Sequence, residues 1–135
     1  MRYEFSAYGH PNITALHRTT LEFIKDAELS RKGDCIIAVK SDFELKELRN
    51  FLSCKKIRIK IRIAGLKTAG LSETITAVPN PQFNSNHELV IRKTDFYSER
   101  TFAIKADKAA SDIGREFAEA LKSDAEMRIS IEKYK

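Results

Sequence analysis

Ile57-Arg58-Ile59-Lys60-Ile61 and Met127-Arg128-Ile129-Ser130-Ile131 decide the fold. In both, apolar residues alternate with polar ones, the period of a strand with one buried face. The two stretches stand at an offset of 70. The same offset relates Phe5, Ala7, Pro11, His17 and Leu21 to Ile75, Ala77, Pro81, His87 and Ile91. Between these blocks, Ala38-Val39-Lys40-Ser41-Asp42 matches Ala103-Ile104-Lys105-Ala106-Asp107 at an offset of 65. The slip falls where loops and helix ends are expected. Two halves that share a hydrophobic period and a few polar identities read as copies of one folding unit. The copies span about 2–64 and 72–133 and bury their apolar faces against each other in a single domain, 1–135.

Working outward from these strands, each unit reads β-β-β-α-β. Residues 2–8 alternate as a strand, and Gly9-His10-Pro11-Asn12 is a turn. Residues 13–24 read as one long strand and 35–40 as a short buried one. Ser41-Asp42 offers a helix N-cap ahead of Leu45, Leu48 and Leu52 at helical spacing. Residues 55–63 form the fourth strand, and 65–70 the seam. The second unit repeats the order, with strands at 73–78, 87–93, 101–106 and 127–133. Its helix begins at Asp107 and carries Ala110, Ile113, Phe117, Ala120 and Leu121 on its apolar face. The expected fold is mainly β with two helices, a sandwich or barrel-like structure built from two pseudo-symmetric repeats. A strand-helix-strand crossover between parallel neighbours is right-handed. A double-psi-like β-barrel, which has six strands, is the alternative.

The bulk numbers describe an ordinary globular chain. Of 135 residues, 42% are hydrophobic and 32% charged, and the formal net charge is +5. No apolar run approaches the length of a membrane span, so no membrane partner is expected. Cys35 and Cys54, the two cysteines, lie far apart without metal spacing. They read as reduced residues of a cytoplasmic protein. The positive charge is compatible with phosphate-bearing partners, and it selects none.

Three groups of residues could carry chemistry. His17 and His87 each follow a Pro by six residues. They either flank a shared cleft, with His10 and Thr19-Thr20 nearby, or each secures the turn behind its own Pro. Imidazoles titrate near neutrality and move protons or bind metal, but no third ligand stands at a metal spacing. The corners Lys40-Ser41-Asp42 and Lys105-Ala106-Asp107 join a buried strand to a helix start. They are either anion pockets, with Arg92, Arg100 and Lys108 contributing, or plain helix caps. Lys56, Arg58, Lys60 and Arg62 lie on one face of the 55–63 strand. That row either follows a nucleic-acid backbone or guards a strand edge with charge. It has no stacking aromatic of its own. Phosphate-loop, dinucleotide and nucleophile-elbow motifs are absent.

Several stretches resemble an archaeal family, domain of unknown function 371. They are Gly9-His10-Pro11-Asn12-Ile13, His17-Arg18-Thr19-Thr20-Leu21-Glu22, Gly33-Asp34-Cys35-Ile36-Ile37, Val90 through Phe96, and Arg100-Thr101-Phe102 through Ala110. The resemblance implies a small cytoplasmic protein with a mainly-β sandwich and helices, and it implies no activity. The chain departs from the family pattern at Thr94, at Val78-Pro79-Asn80 and in the basic row.

Three functions follow as expectations. The first is a binding module for an anionic small molecule or nucleotide, using His10, His17, Arg18, His87, Arg92, Arg100, Asp107 and Lys108. The second is RNA binding through Lys56, Arg58, Lys60 and Arg62. The third is an enzyme with a histidine site between the repeats. The sequence assigns no catalytic residue, cofactor, metal or oligomeric state.

Overall fold

The computed structural model describes residues 1–64 and 71–134, so the expected seam at 65–70 lies outside the described residues. The strands are β1 (Arg2–Tyr8), β2 (Thr20–Ile24), β3 (Ile36–Ala38), β4 (Ile57–Ile63), β5 (Ser72–Pro79), β6 (Glu88–Arg92), β7 (Thr101–Ile104) and β8 (Glu126–Lys133). Two short helices, α1 (Leu45–Leu48) and α2 (Arg115–Ala120), complete the elements that position the site. Neither is long and apolar enough to cross a membrane.

The strands run in the order β1-β8-β4-β5-β7-β6-β2-β3. Tyr8, ending β1, exchanges two 2.8 Å backbone hydrogen bonds with Val39, just past β3. The two ends of the sheet therefore meet, and the architecture is mainly β and barrel-like. Eight strands enter it, so the six-stranded double-psi alternative does not describe it. The parallel pairs are β2 with β3 and β6 with β7. They are joined by loops, whereas each helix leads to a strand on the other side of the sheet order. The expected helical crossover between parallel neighbours is thus replaced by a loop crossover.

Alternation sets which face is buried. Ile57, Ile59 and Ile61 of β4, Ile75 and Ala77 of β5, and Met127, Ile129 and Ile131 of β8 are buried, while their neighbours point outward. Phe5 packs edge-on against Phe23 at 5.8 Å and Phe43 at 5.6 Å, tying both sides of the sheet to the α1 segment. Phe83 meets Phe102 at 5.2 Å in the same way. Each such buried side chain contributes roughly 1.5–3 kcal/mol by leaving water.

Three elements, the second strand and both helices, are shorter than their sequence pattern. The expected 13–24 strand pairs only from Thr20. Before it, Ala15 takes φ 52° and His17 closes a turn, which breaks the ladder. The expected helices do not begin at Asp42 or Asp107. Asp42 Oδ1 instead accepts the Ser6 N–H at 2.7 Å, and Asp107 Oδ1 the Thr76 N–H at 3.0 Å. A carboxylate committed to a strand cannot also cap a helix.

Candidate functional site

β2 and β7 are buried on both faces. Along them, Thr20, Glu22 and Thr101 are 7%, 6% and 0% exposed. A charged residue inside an apolar strand needs partners, because desolvation of a carboxylate is costly. The antiparallel β2–β6 register sets Glu22 opposite Val90 and Ile24 opposite Glu88. Glu22 and Glu88 are therefore diagonal neighbours on one face, within reach of long side chains.

Two carboxyls this close in a dry setting do not both ionise. Burial, then the hydrogen bond to Glu88, pushes the Glu22 carboxyl up to about 7. Glu88 moves the other way, held below its ordinary value chiefly by the bond from Glu22 and then by Arg100. Below about pH 7 the proton resides on Glu22, while Glu88 carries the charge. The Cys35 thiol donates to Glu22 Oε2 at 3.3 Å. Burial, then the Glu22 charge, pushes that thiol up to about 12, so it stays protonated. On the other side, Arg100 Nη1 donates to Glu88 Oε1 at 3.4 Å. A chain thus runs from Cys35 through Glu22 and Glu88 to Arg100.

Arg100 opens onto a shallow cleft of about 520 Å³, lined also by Asn84, Ser85, Asn86, His87 and Ser98. An adjoining cleft of about 410 Å³ shares Leu45 and Asn86 and adds Lys25, Lys46 and Arg49. Local bonds hold these walls. Ser85 Oγ accepts the N–H groups of His87 and Glu88 at 3.3 and 3.2 Å. Arg49 Nη2 donates to Asn84 Oδ1 at 2.6 Å, and Lys25 Nζ to Asn86 Oδ1 at 2.8 Å. The 98–101 turn that presents Arg100 is pinned by the fully buried Asn80, whose Nδ2 donates to Ser98 O and Thr101 O at 3.0 and 2.8 Å. Glu44 and Glu99 also line the clefts. The walls hold more cations than carboxylates.

The structure gathers some of the expected site residues and disperses others. His87 and Arg100 share the cleft. Arg92 lies behind it: its Nε donates to Thr101 Oγ1 at 2.9 Å, and Thr101 Oγ1 is 2.7 Å from Ser98 Oγ. Asp107 is bound to Thr76, and Lys108 pairs with Glu73 at 3.0 Å. The His10 ring accepts the Asn12 N–H through Nδ1 at 3.0 Å, and its Nε2 is 3.6 Å from Glu28. Arg18 is exposed.

The two histidines do not share a site. His17 precedes Thr20, which pairs with Arg92, whereas His87 O accepts the Lys25 N–H. They stand at opposite ends of the β2–β6 ladder, so one substrate does not bridge them. Nor are they equivalent. His17 Nδ1 accepts the N–H groups of Thr19 and Thr20, and Ser85 Oγ makes the matching pair of bonds to His87 and Glu88. Two residues, Phe83 and Asn84, stand ahead of Ser85, where four, Ile13 to Leu16, stand ahead of His17. That shift aligns His17 with Ser85.

Arg58, Lys60 and Arg62 of the basic row lie on the outer face of β4, between β8 and β5, and Lys56 directly precedes the strand. The row is interior to the sheet and does not guard an edge. An aromatic does join it, from outside the strand: the Tyr134 ring lies 5.1 Å from Lys56 Nζ and 4.5 Å from the Arg58 guanidinium carbon.

Sequence reasoning missed Glu22, Cys35, Glu88, Lys25, Arg49 and the two asparagines. One signal was present, the charge in Thr20-Leu21-Glu22-Phe23-Ile24. Among the described residues, no group of three or more His, Cys, Asp or Glu is placed to hold a metal ion.

Comparison with known proteins bears on the whole chain. An uncharacterized protein of Methanocaldococcus jannaschii is 33% identical over 133 residues, covering 97% of this chain and 98% of its own. The family model described as a domain of unknown function (DUF371) matches residues 5–134. With the match running from β1 to the end of β8, the chain belongs to that family.

Proposed function

We propose that the paired clefts at Arg100 bind a small anion of the phosphate class, such as a nucleotide phosphate. The observation that carries this reading is the state of the two asparagines. Their side-chain oxygens are consumed by Arg49 and Lys25. Their amide nitrogens make no hydrogen bond to the described residues and are free to donate to a ligand. Together with Arg100, Lys46 and His87 they make a wall dominated by donors, which suits an oxyanion and not a cation. Arg100 is oriented from behind by Glu88, which favours a fixed guanidinium over a mobile one.

The paired hydrogen bonds of the two halves support reading the chain as two copies of one unit. In that reading the cleft has grown on the second copy, where Ser85 replaces His17 and the shortened loop makes room.

Thermal denaturation with phosphate, AMP and ATP at fixed ionic strength tests the proposal. A ligand that occupies only the folded state raises Tm progressively, as the logarithm of its concentration above Kd. The expected result is a dose-dependent rise for at least one of these anions, reduced in His87→Ala and Lys46→Ala. No rise with any of them, or an equal rise in both variants, overturns it.

A further inference from the structure

The outer face of β1, β8, β4 and β5 carries a second concentration of charge, remote in the sheet order from the Arg100 cleft. Antiparallel register sets Arg62 directly opposite Arg128, and Lys60 opposite Ser130, which in turn faces Glu4. These residues and Arg2 surround a small depression of about 60 Å³. Four cations and one carboxylate line it. Glu4 is already engaged by Arg2 at 3.0 Å and Arg128 at 3.5 Å, and Arg128 also pairs with Glu126 at 3.2 Å. Among the described residues neither Lys60 nor Arg62 has an ion-pair partner. The neighbouring sequence 65–70, Gly-Leu-Lys-Thr-Ala-Gly, carries no carboxylate.

Like charges placed directly across a strand pair destabilise it. Here they sit on interior strands, where no edge needs protection. An anion between them converts the repulsion into two sets of charge-assisted hydrogen bonds. The depression is small, with room for a tetrahedral group and not for a whole nucleoside. Ser130 adds a hydroxyl donor. The planar forks of Arg62 and Arg128 match the oxygen spacing of phosphate.

We infer that Arg2, Lys60, Arg62 and Arg128 form an oxyanion site that takes one phosphate group. That group comes either free in solution or from the backbone of a single-stranded nucleic acid, and the two sources are distinguished by experiment. Inorganic phosphate is titrated by calorimetry, and a labelled short oligouridylate by fluorescence anisotropy. Both are applied to the wild-type chain, to Lys60→Gln/Arg62→Gln and to the cleft variant His87→Ala. An Arg62→Gln single variant stands in if the double variant does not fold. Without ligand, the double variant is expected to melt no lower than wild type, because it loses a repulsion.

The expected result is a phosphate-binding component that the double variant weakens by about tenfold and that persists in His87→Ala, which removes only the component belonging to the Arg100 cleft. Oligouridylate binding with the same variant pattern and a steep loss with salt assigns the site to a nucleic-acid backbone. Binding of neither ligand, or equal binding by wild type and the Lys60/Arg62 variants, overturns the inference. Loss on His87→Ala alone points to the Arg100 cleft and also overturns it.

Discussion

Asp107 grips Thr76 with both carboxylate oxygens: Oδ1 accepts the backbone N–H at 3.0 Å and Oδ2 the hydroxyl at 3.1 Å. The Asp107 N–H in turn donates to Thr76 O at 3.1 Å. Asp42 makes the corresponding backbone clip to Ser6, at 2.7 and 3.0 Å. Before each aspartate stands a lysine with positive φ, Lys105 at 52° and Lys40 at 53°. The left-handed turn carries the chain off one strand, and the carboxylate fastens it to the next. Hydrogen bonds to a charged group contribute about 1.5–3 kcal/mol each when protected, and less in the exposed setting of Asp107. Asp107→Ala should therefore cost about 2 kcal/mol, and Asp107→Asn about half of that, since one acceptor oxygen remains. Urea denaturation measures both. A loss under about 0.5 kcal/mol for Asp107→Ala would show the clip to be ornamental.

These clips explain which parts of the fold were legible. β4 and β8 were readable because period-2 alternation is a local signal, and Ile57 to Ile63 obeys it without exception. The helix starts were misread for the opposite reason. Asp42 and Asp107 have the chemistry of an N-cap, but their partners lie on strands distant in sequence. No local pattern announces a long-range donor. The 13–24 strand failed similarly, because a turn built on His17 competes with strand propensity and wins.

Glu22 makes stability depend on pH. Its folded carboxyl sits at about 7 against an ordinary value of 4.5, so the folded chain holds a proton that the unfolded chain releases. The stabilisation is complete below about pH 4.5 and is lost as pH rises through about 7. Glu88, held low, contributes the reverse: its share is present above the ordinary carboxylate value and lost as pH falls below it. Melting temperature should thus decline from about pH 5 to pH 8. Glu22→Gln keeps the neutral shape without the titration. It should flatten that slope and stabilise the protein at pH 8 on the order of 2 kcal/mol. Parallel pH profiles for wild type and Glu22→Gln would refute the shared-proton arrangement.

The site was less legible than the fold. His87 and Arg100 could be nominated from residue type alone, and they do line one cleft. What joins them to Glu22 and Cys35 is the β2–β6 register, which makes Glu22 and Glu88 diagonal neighbours. That register is a tertiary fact. The offset of 70 that pairs His17 with His87 in sequence is not kept in space, where Ser85 makes the bonds that match those of His17. The match of letters pointed to His87, while the hydrogen bonds point to Ser85.

Gly9 is fixed by close approach. A Cβ there would run into the carbonyl oxygens of Leu121 and Ser123, just past α2. The backbone around it is also bonded to that segment, Gly9 N–H to Ala125 O at 3.1 Å and His10 N–H to Leu121 O at 2.9 Å. Neither side can retreat without breaking these bonds. Gly9→Ala should cost about 3 kcal/mol, at the upper end of overpacking penalties. The urea midpoint reads this directly. A change within about 0.5 kcal/mol would mean that the α2 end moves freely.

Arg115 separates the effect of charge from that of shape. Its Nη2 donates to Ala15 O at 3.1 Å, Ala110 O at 3.2 Å and Ile113 O at 2.9 Å, so one guanidinium ties the 13–16 loop to the start of α2. Ala15 itself holds positive φ and presents its carbonyl in a conformation that needs support. An ammonium carries the same charge but not the planar fork, in which Nε also donates to Ile113 O at 3.3 Å while Nη2 reaches the other carbonyls. Arg115→Lys should therefore lose about 1–2 kcal/mol, close to the loss in Arg115→Met, which keeps only the aliphatic stem. If charge near the loop carbonyls were the operative effect, lysine would retain most of the stability and methionine would not. Chemical denaturation of the two variants side by side decides between them.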